Sequence, residues 1–384
     1  MLAADDELGG TIVPLTSPEG AMDYKLVSAD SHLSLPPGFF QRYLPAAYRD
    51  HDWVKTVEGM QKKALKMAGM GLAHMAGRRF EDYQAKDISE DDIRPGAFDP
   101  DARLADMDSD GVDAEVLISG GAAPTGEGVS KDFQRAVIQA YNDFLSEFCS
   151  TNPARLVGPA TVPFQNMELA LKEMKRAARL PGIRAFLFDG YPQLPYWDDA
   201  YDPFWEAAND LGYPIHIHIA TPRSNVLSMS SLAPNKQGTA MSFISLAPMG
   251  LSETLAIIVF AGIPQRYPNI RFVFTEAGAS WLPYFKERMD LVYKRHRYWT
   301  QSPLTEPPSF YVDRQCINTF IEDTAAIRLR HEVGLGNLMW STDYPHSDST
   351  WPHSWKYIEE AFADVPDAER QQILAGNAVD LYGL

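Results

Sequence analysis

The stretch PIHIHIA, Pro214 to Ala220, decides the fold of this chain. Side chains in a strand alternate between faces, so His216 and His218 share one face and Ile215, Ile217 and Ile219 the other. The isoleucine face suits packing against helices. The histidine face then turns into the space that a ring of parallel strands encloses.

Seven further runs resemble this one along the chain: KLVSADSH (25–32), AEVLISG (114–120), LVGPATVP (156–163), IRAFLFDG (183–190), RFVFTEAG (271–278), QCINTFIED (315–323) and NLMWSTDYPH (337–346). Helical spacing of apolar residues falls between most of them, over 131–151, 167–180, 202–212, 252–268 and 367–383, with Gly212 suited to a C-cap. Alternating strand and helix predicts parallel strands, and eight such units predict an α/β fold, a closed (β/α)₈ TIM barrel. The reading is a short N-terminal extension, 1–23, followed by one domain, 24–384. Two insertions, 34–112 and 221–250, leave the C-terminal ends of the first and fifth strands, the face on which such barrels carry their sites. They are read as lids or interface elements shaping a substrate pocket. Met60, Met67, Met70 and Met75 in the first insertion read as packing filler.

Composition narrows the partners. The chain has 384 residues, 45% hydrophobic and 22% charged, which is ample for a core. A formal net charge of −17 repels nucleic acid and anionic membrane. The two cysteines, Cys149 and Cys316, read as buried free thiols, with no disulfide framework or cysteine-rich zinc site. The opening MLAADDELGGTIVPL lacks the basic and apolar regions of a signal peptide, and no apolar run reaches membrane length. A soluble cytoplasmic protein is the expectation.

Polar residues close four of the strands. The first ends in Asp30 and His32, and the fifth in His218. Phe272, Phe274 and Glu276 share one face of the sixth, which by strict alternation carries the carboxylate inward behind two aromatics. Met339, Ser341 and Asp343 share a face of the eighth, with His346 just beyond. Each has an ordinary reading alone. An inward histidine is commonly a hydrogen-bonded core residue, the preferred reading for His216. A strand-end glutamate is commonly a salt-bridge partner, and Asp343 is placed to cap the following helix. Together, two histidines and three carboxylates aimed at one spot would repel and resist desolvation, and a divalent cation removes that cost. Mixed nitrogen and oxygen ligation suits Zn²⁺, Mn²⁺ or Fe²⁺.

With these residues in view, the chain resembles the amidohydrolase-related metal-dependent hydrolases, the branch that includes aminocarboxymuconate-semialdehyde decarboxylase. The resemblance rests on DSH at 30–32, IRPGAFDPDARLADMDSDGVDAEVL at 93–117, YDPFWEAANDLGYPIHIH at 201–218, TEAGASWLPYFKERMD at 275–290 and STDYPHSDSTWPHS at 341–354, and covers roughly 24–383. It implies a metal at the C-terminal mouth of the barrel. Asp30 and His32 match the first-strand His-x-His pair with Asp in the first place, His218 the fifth-strand ligand, and Asp343 the eighth-strand aspartate that binds metal and moves a proton. Glu276 falls where decarboxylase members have histidine, and with the DSH form this resembles a sub-branch. The extra carboxylates favour Mn²⁺ or Fe²⁺ and give Glu276 a place between two ions.

The resemblance implies a metal-dependent hydrolase or a non-oxidative lyase, acting on a small organic substrate with aromatic or carboxylate character. Asp30, His32, His218 and Asp343 would hold the ion, Asp343 would act as base and His346 would be a second proton carrier; Arg223 and Arg314 read equally as partners of a substrate carboxylate and as structural salt-bridge residues. The alternative is a dinuclear Fe/Fe or Fe/Mn monooxygenase on the same barrel, with Glu276 among the ligands. A non-catalytic subunit is a third reading, against which the intact ligand set argues. The family habit implies a homo-oligomer, with a paralogous subunit as a further partner.

Overall fold

The computed structural model describes residues 22–57, 74, 76–79, 93–119, 129–164, 166–188, 194–219 and 238–384. All eight expected strands are present: β1 (Val27–Leu33), β2 (Ala114–Ser119), β3 (Leu156–Val162), β4 (Ile183–Phe188), β5 (Ile215–His218), β6 (Phe272–Thr275), β7 (Cys316–Phe320) and β8 (Leu338–Trp340). They lie in sequence order in one sheet, and each neighbouring pair is parallel. Two backbone hydrogen bonds close β8 onto β1. The Asp343 N–H donates to the Asp30 carbonyl at 3.0 Å and the His32 N–H to the Tyr344 carbonyl at 2.7 Å. The barrel is thus joined at the segments that carry four of the candidate site residues.

Two apolar layers result. Small and branched residues fill the barrel's interior, among them Val27, Ala29, Val116, Val157, Val273 and Met339, with Tyr382 and Leu384 packed against them. The larger layer lies between strands and helices and takes Ile215, Ile217, Phe272, Phe274 and Trp340. The helix Lys131–Ser150 starts where the Ser130 hydroxyl accepts from the Phe133 N–H, and Asp202–Leu211 stops at Gly212, whose φ of 68° is open to glycine at little cost. Cys149 and Cys316 are free and buried, as expected.

The structure differs from the sequence reading in three segments. The run 252–268 is two helices, Leu251–Phe260 and Ile263–Arg266, because Gly262 at φ 73° breaks the first and Pro264 sits in the first turn of the second. The run 367–383 is interrupted by a π-helical stretch, Gln372–Gly376. The stretch 34–112 also contains an outer barrel helix, Pro100–Asp110, which an Asp99 side chain caps through the Ala102 N–H. Residues 221–237, with Arg223, and Met60, Met67, Met70 and Met75 lie outside the described residues. Among the described residues no single helix is long and apolar enough to cross a membrane. The bent pair Thr239–Leu246 and Pro248–Phe260 matches a span only when joined, and its Leu251, Leu255, Ile258 and Val259 are buried here.

His216 is a core residue. The Thr275 hydroxyl is within reach of the Val273 carbonyl at 3.4 Å, which leaves its oxygen to accept from His216 Nδ1 at 3.0 Å. The Tyr382 hydroxyl then donates to Nε2 at 2.9 Å. Burial, with the neighbouring His218, pushes the imidazole down to about 3, so it stays neutral. Replacing Tyr382 by Phe leaves Nε2 without that partner and is expected to cost about 1–3 kcal/mol in urea unfolding, with metal binding unchanged.

Candidate metal centre

Strict alternation does not by itself bring the acids together. Phe272 and Phe274 pair in register with Ile215 and Ile217, and all four face the helices. The sequence expectation that Phe272, Phe274 and Glu276 share the inward face is therefore corrected: on alternation Glu276 would point outward. It reaches the site because it adopts φ 60°, a left-handed conformation that turns the chain at the end of β6. Its N–H donates to the Thr319 hydroxyl at 2.8 Å, which holds the turn. Asp343, three residues past the end of β8, has φ 55°. Each such residue stores on the order of 1–3 kcal/mol, and this kind of strain gathers at functional sites.

β1 uses a bulge instead. Ser28 pairs with Glu115 but Ser31 with Leu117, so Ala29 and Asp30 together face one residue of β2. The extra residue resets the parity, and Asp30 and His32 enter the barrel above Ala29. The hydroxyls of Ser28, Ser31 and Thr342 lie 3.0–3.2 Å from one another behind the bulge, and the Thr342 N–H donates to Ser28 Oγ at 2.8 Å.

The five expected ligands converge. Ligating atoms of Asp30, His32, His218 and Glu276 lie within 4.8 Å of one another, as do those of His32, Glu276, Asp343 and His346. His32 Nε2 is 3.0 Å from Asp343 Oδ1 and 3.6 Å from Asp30 Oδ1, and His218 Nε2 is 3.3 Å from Glu276 Oε2. These atoms are near without being paired. Both Asp30 oxygens, His32 Nε2, His218 Nε2 and Asp343 Oδ1 are buried with no aligned hydrogen-bond partner. Five orphaned ligating atoms around one point fit a divalent cation.

The electrostatics point the same way. Burial pushes the Asp30 carboxyl up, and the Asp343 charge adds to it. Burial likewise raises Glu276, with Asp343 and Asp30 contributing. For Asp343 burial alone would do the same, but His346 and His32 outweigh it and hold the carboxyl low. Burial lowers His32 to about 3, helped by His346, and lowers His218 as well. Neutral imidazoles offer lone pairs, and crowded carboxylates call for a cation. His218 Nδ1 faces the Ile219 carbonyl at 3.0 Å, which leaves Nε2 bare and aimed at the cluster.

His346 stands at the edge of the cluster. Its Nδ1 is 3.0 Å from Asp343 Oδ1, its ring stacks on His32 at 4.0 Å between centroids, and its side chain is 29% exposed. A cavity of about 1150 Å³ opens beside it, with Glu276 on its wall, the aromatic rings of Trp281, Trp351 and Tyr357, and the carboxylates of Glu322 and Asp348. That space is large enough for a small organic molecule.

One sequence candidate falls elsewhere. Arg314 precedes β7, at the opposite end of the barrel, where its Nη2 donates to the Pro264 carbonyl at 2.7 Å and its Nε to Gln315 Oε1 at 2.8 Å. It is a structural residue, and Arg223 lies outside the described residues. Sequence reasoning missed the group behind the ligands, in which Arg103, Arg94, Asp106 and Tyr344 interact. Its signal was the stretch 93–117, which stood out only as a resemblance.

Comparison with known proteins finds decarboxylases among this chain's relatives and structural neighbours. Gamma-resorcylate decarboxylase of Polaromonas sp. is 27% identical over 301 residues, covering 74% of this chain and 87% of that protein. The 2-amino-3-carboxymuconate-6-semialdehyde decarboxylase of Dictyostelium discoideum is 23% identical over 303 residues, 76% of this chain and 79% of that one. Among solved structures, 5-carboxyvanillate decarboxylase of Novosphingobium aromaticivorans, in complex with manganese and 4-hydroxy-3-methoxy-5-nitrobenzoic acid, superposes with a TM-score of 0.69 at 20% identity. The match covers 96% of this chain and 99% of that one. Residues 29–384 match the amidohydrolase family, and with the barrel and the converging ligand set at its mouth, this chain belongs to that family.

Proposed function

We propose that the chain is a divalent-metal-dependent, non-oxidative decarboxylase of a small aromatic carboxylic acid. The observation that carries the reading is the set of orphaned ligating atoms on Asp30, His32, His218 and Asp343 beside an aromatic-walled cavity. The decarboxylases among its relatives support lyase chemistry over hydrolysis or oxygenation. Asp30, His32, His218 and Asp343 would hold the ion, with Glu276 as a fifth ligand beside His218. The neighbour that carries manganese supports that metal here. When bound, such a cation supplies an anchor and a Lewis acid for the substrate's oxygens.

The protein's own groups handle the proton. Asp343 and His346 form a hydrogen-bonded pair at 3.0–3.2 Å, with the imidazole at the cluster's edge. The pair delivers a proton to the ring carbon that loses its carboxylate. The C–C bond electrons stay on the ring, carbon dioxide leaves, and ArCOO⁻ plus H⁺ becomes ArH plus CO₂.

The test uses manganese-loaded protein, a panel of 2-hydroxybenzoate-type acids and D₂O. The expected result is one CO₂ per substrate consumed, one deuterium at the vacated ring carbon and no uptake of O₂. Elemental mass spectrometry should find one ion per chain. Hydrolysis products without CO₂, or O₂ uptake by a protein holding two ions with iron among them, would overturn the reading.

A further inference from the structure

The stretch 93–117 has no role in the chemistry above, yet it holds both ends of the ligand set. Arg103, on the helix Pro100–Asp110, is completely buried. Its Nε donates to Glu115 Oε2 at 2.5 Å, and its Nη1 donates to the carbonyls of His32 and Gly96 at 3.0 Å each. The guanidinium lies 4.4 Å from the centroid of the Tyr344 ring. One side chain therefore touches the backbone of a candidate ligand on β1 and the residue next to Asp343 after β8. Those same two residues are joined by the bond from the His32 N–H to the Tyr344 carbonyl.

The rest of the stretch tightens this hold. The Tyr344 hydroxyl donates to Asp106 Oδ2 at 2.5 Å and accepts from Arg94 Nε at 3.2 Å. Arg94 sits 4.0 Å over the Trp351 ring, and Trp351 Nε1 donates to the Asp106 carbonyl at 2.9 Å. Gly96 permits the close approach: a Cβ there would fall 2.6 Å from Asp106 Oδ2 and 2.8 Å from the Tyr344 oxygen.

We propose that Arg103 is a positioning residue of the metal centre, which locks the end of β1 to the loop after β8 and so sets the affinity for the divalent cation. A planar guanidinium can donate within its plane to a carboxylate and two carbonyls while presenting its face to a ring. An ammonium group cannot do both, so Arg103→Lys keeps the charge opposite Glu115 but loses the geometry. Tyr344→Phe keeps the ring under Arg103 and releases only Asp106 and Arg94. The inference rests on the metal-centre reading but not on the identity of the substrate.

The experiment titrates metal-free full-length protein with Mn²⁺, following free and bound ion by electron paramagnetic resonance, alongside thermal unfolding of the metal-free forms. Arg103→Lys is expected to raise the Mn²⁺ dissociation constant roughly 10–100-fold, the usual effect of losing an outer support, and to broaden the bound-ion spectrum. Its metal-free unfolding temperature should fall, because buried acceptors lose their donors, so the deciding readout is the Mn²⁺ constant of protein that is still folded at the titration temperature. Tyr344→Phe should weaken binding in the same direction by a smaller factor. Unchanged Mn²⁺ affinity in a folded Arg103→Lys, with only a lower unfolding temperature, would show a merely structural residue and overturn the proposal. If Arg103→Lys does not fold, the Tyr344→Phe titration decides, and an unchanged constant there overturns it. A parent that takes up no Mn²⁺ would bring down the metal reading itself, and this proposal with it.

Discussion

Replacing Asp343 by Asn is expected to slow turnover of the metal-loaded protein by roughly 10²–10⁴-fold, the range over which a positioned acid or base contributes. The substitution keeps shape and one carbonyl oxygen, so the fold should survive. It removes the negative charge that faces His32 Nε2 and His346 Nδ1, each at 3.0 Å. In the parent that charge outweighs burial and raises the affinity of His346 for a proton. Without it, burial favours the neutral ring, and the pair no longer carries a proton to give. Steady-state kinetics at saturating Mn²⁺ separate the two parts of the effect. The fall should appear in kcat and persist when added metal restores full occupancy. A variant that recovers parental kcat with added Mn²⁺ would reduce Asp343 to a ligand and move the proton role elsewhere.

Asp30→Asn should separate stability from function. Asp30 is fully buried, and neither carboxylate oxygen has a hydrogen-bond partner. The Asp343 charge is close enough to push its carboxyl up further. A buried ion without compensation costs several kcal/mol, whereas an unsatisfied neutral amide costs about 1–3 kcal/mol. The metal-free variant is therefore expected to be more stable than the metal-free parent, by about 1–3 kcal/mol in urea unfolding with chelator present. With Mn²⁺ the order should reverse. The parent gains about 2.7 kcal/mol at a free ion concentration 100 times its dissociation constant, and a variant without the ligand gains little. Asp30→Asn that destabilises the metal-free protein and still gains from Mn²⁺ would mean that Asp30 is a packing residue, and the ligand set would lose its β1 carboxylate.

The apolar pattern alone was enough for the barrel. Eight runs of strand length alternate with helical periods, and β5 shows its two faces openly because isoleucine and histidine differ so sharply. Strand ends were also legible as the place for chemistry, since in a parallel barrel they share one rim. The same rule excludes Arg314, which enters β7 at the opposite rim. The family motifs marked which polar strand ends to group.

Only the tertiary structure decided how those ends face one another. Alternation would have turned Glu276 toward the helices, and the β1 bulge sets the parity of Asp30 and His32. A bulge is a mismatch between two paired strands, and a left-handed residue is held by what surrounds it, here Thr319 from β7. Neither is a property of one segment. The hold of Arg103 on His32 and Tyr344 joins residues 71 positions apart and a loop after the last strand. Sequence determined which side chains arrive at the rim, because spacing and propensity are local. The closed barrel decided which of them meet, because contact depends on register, turn and packing between distant parts of the chain.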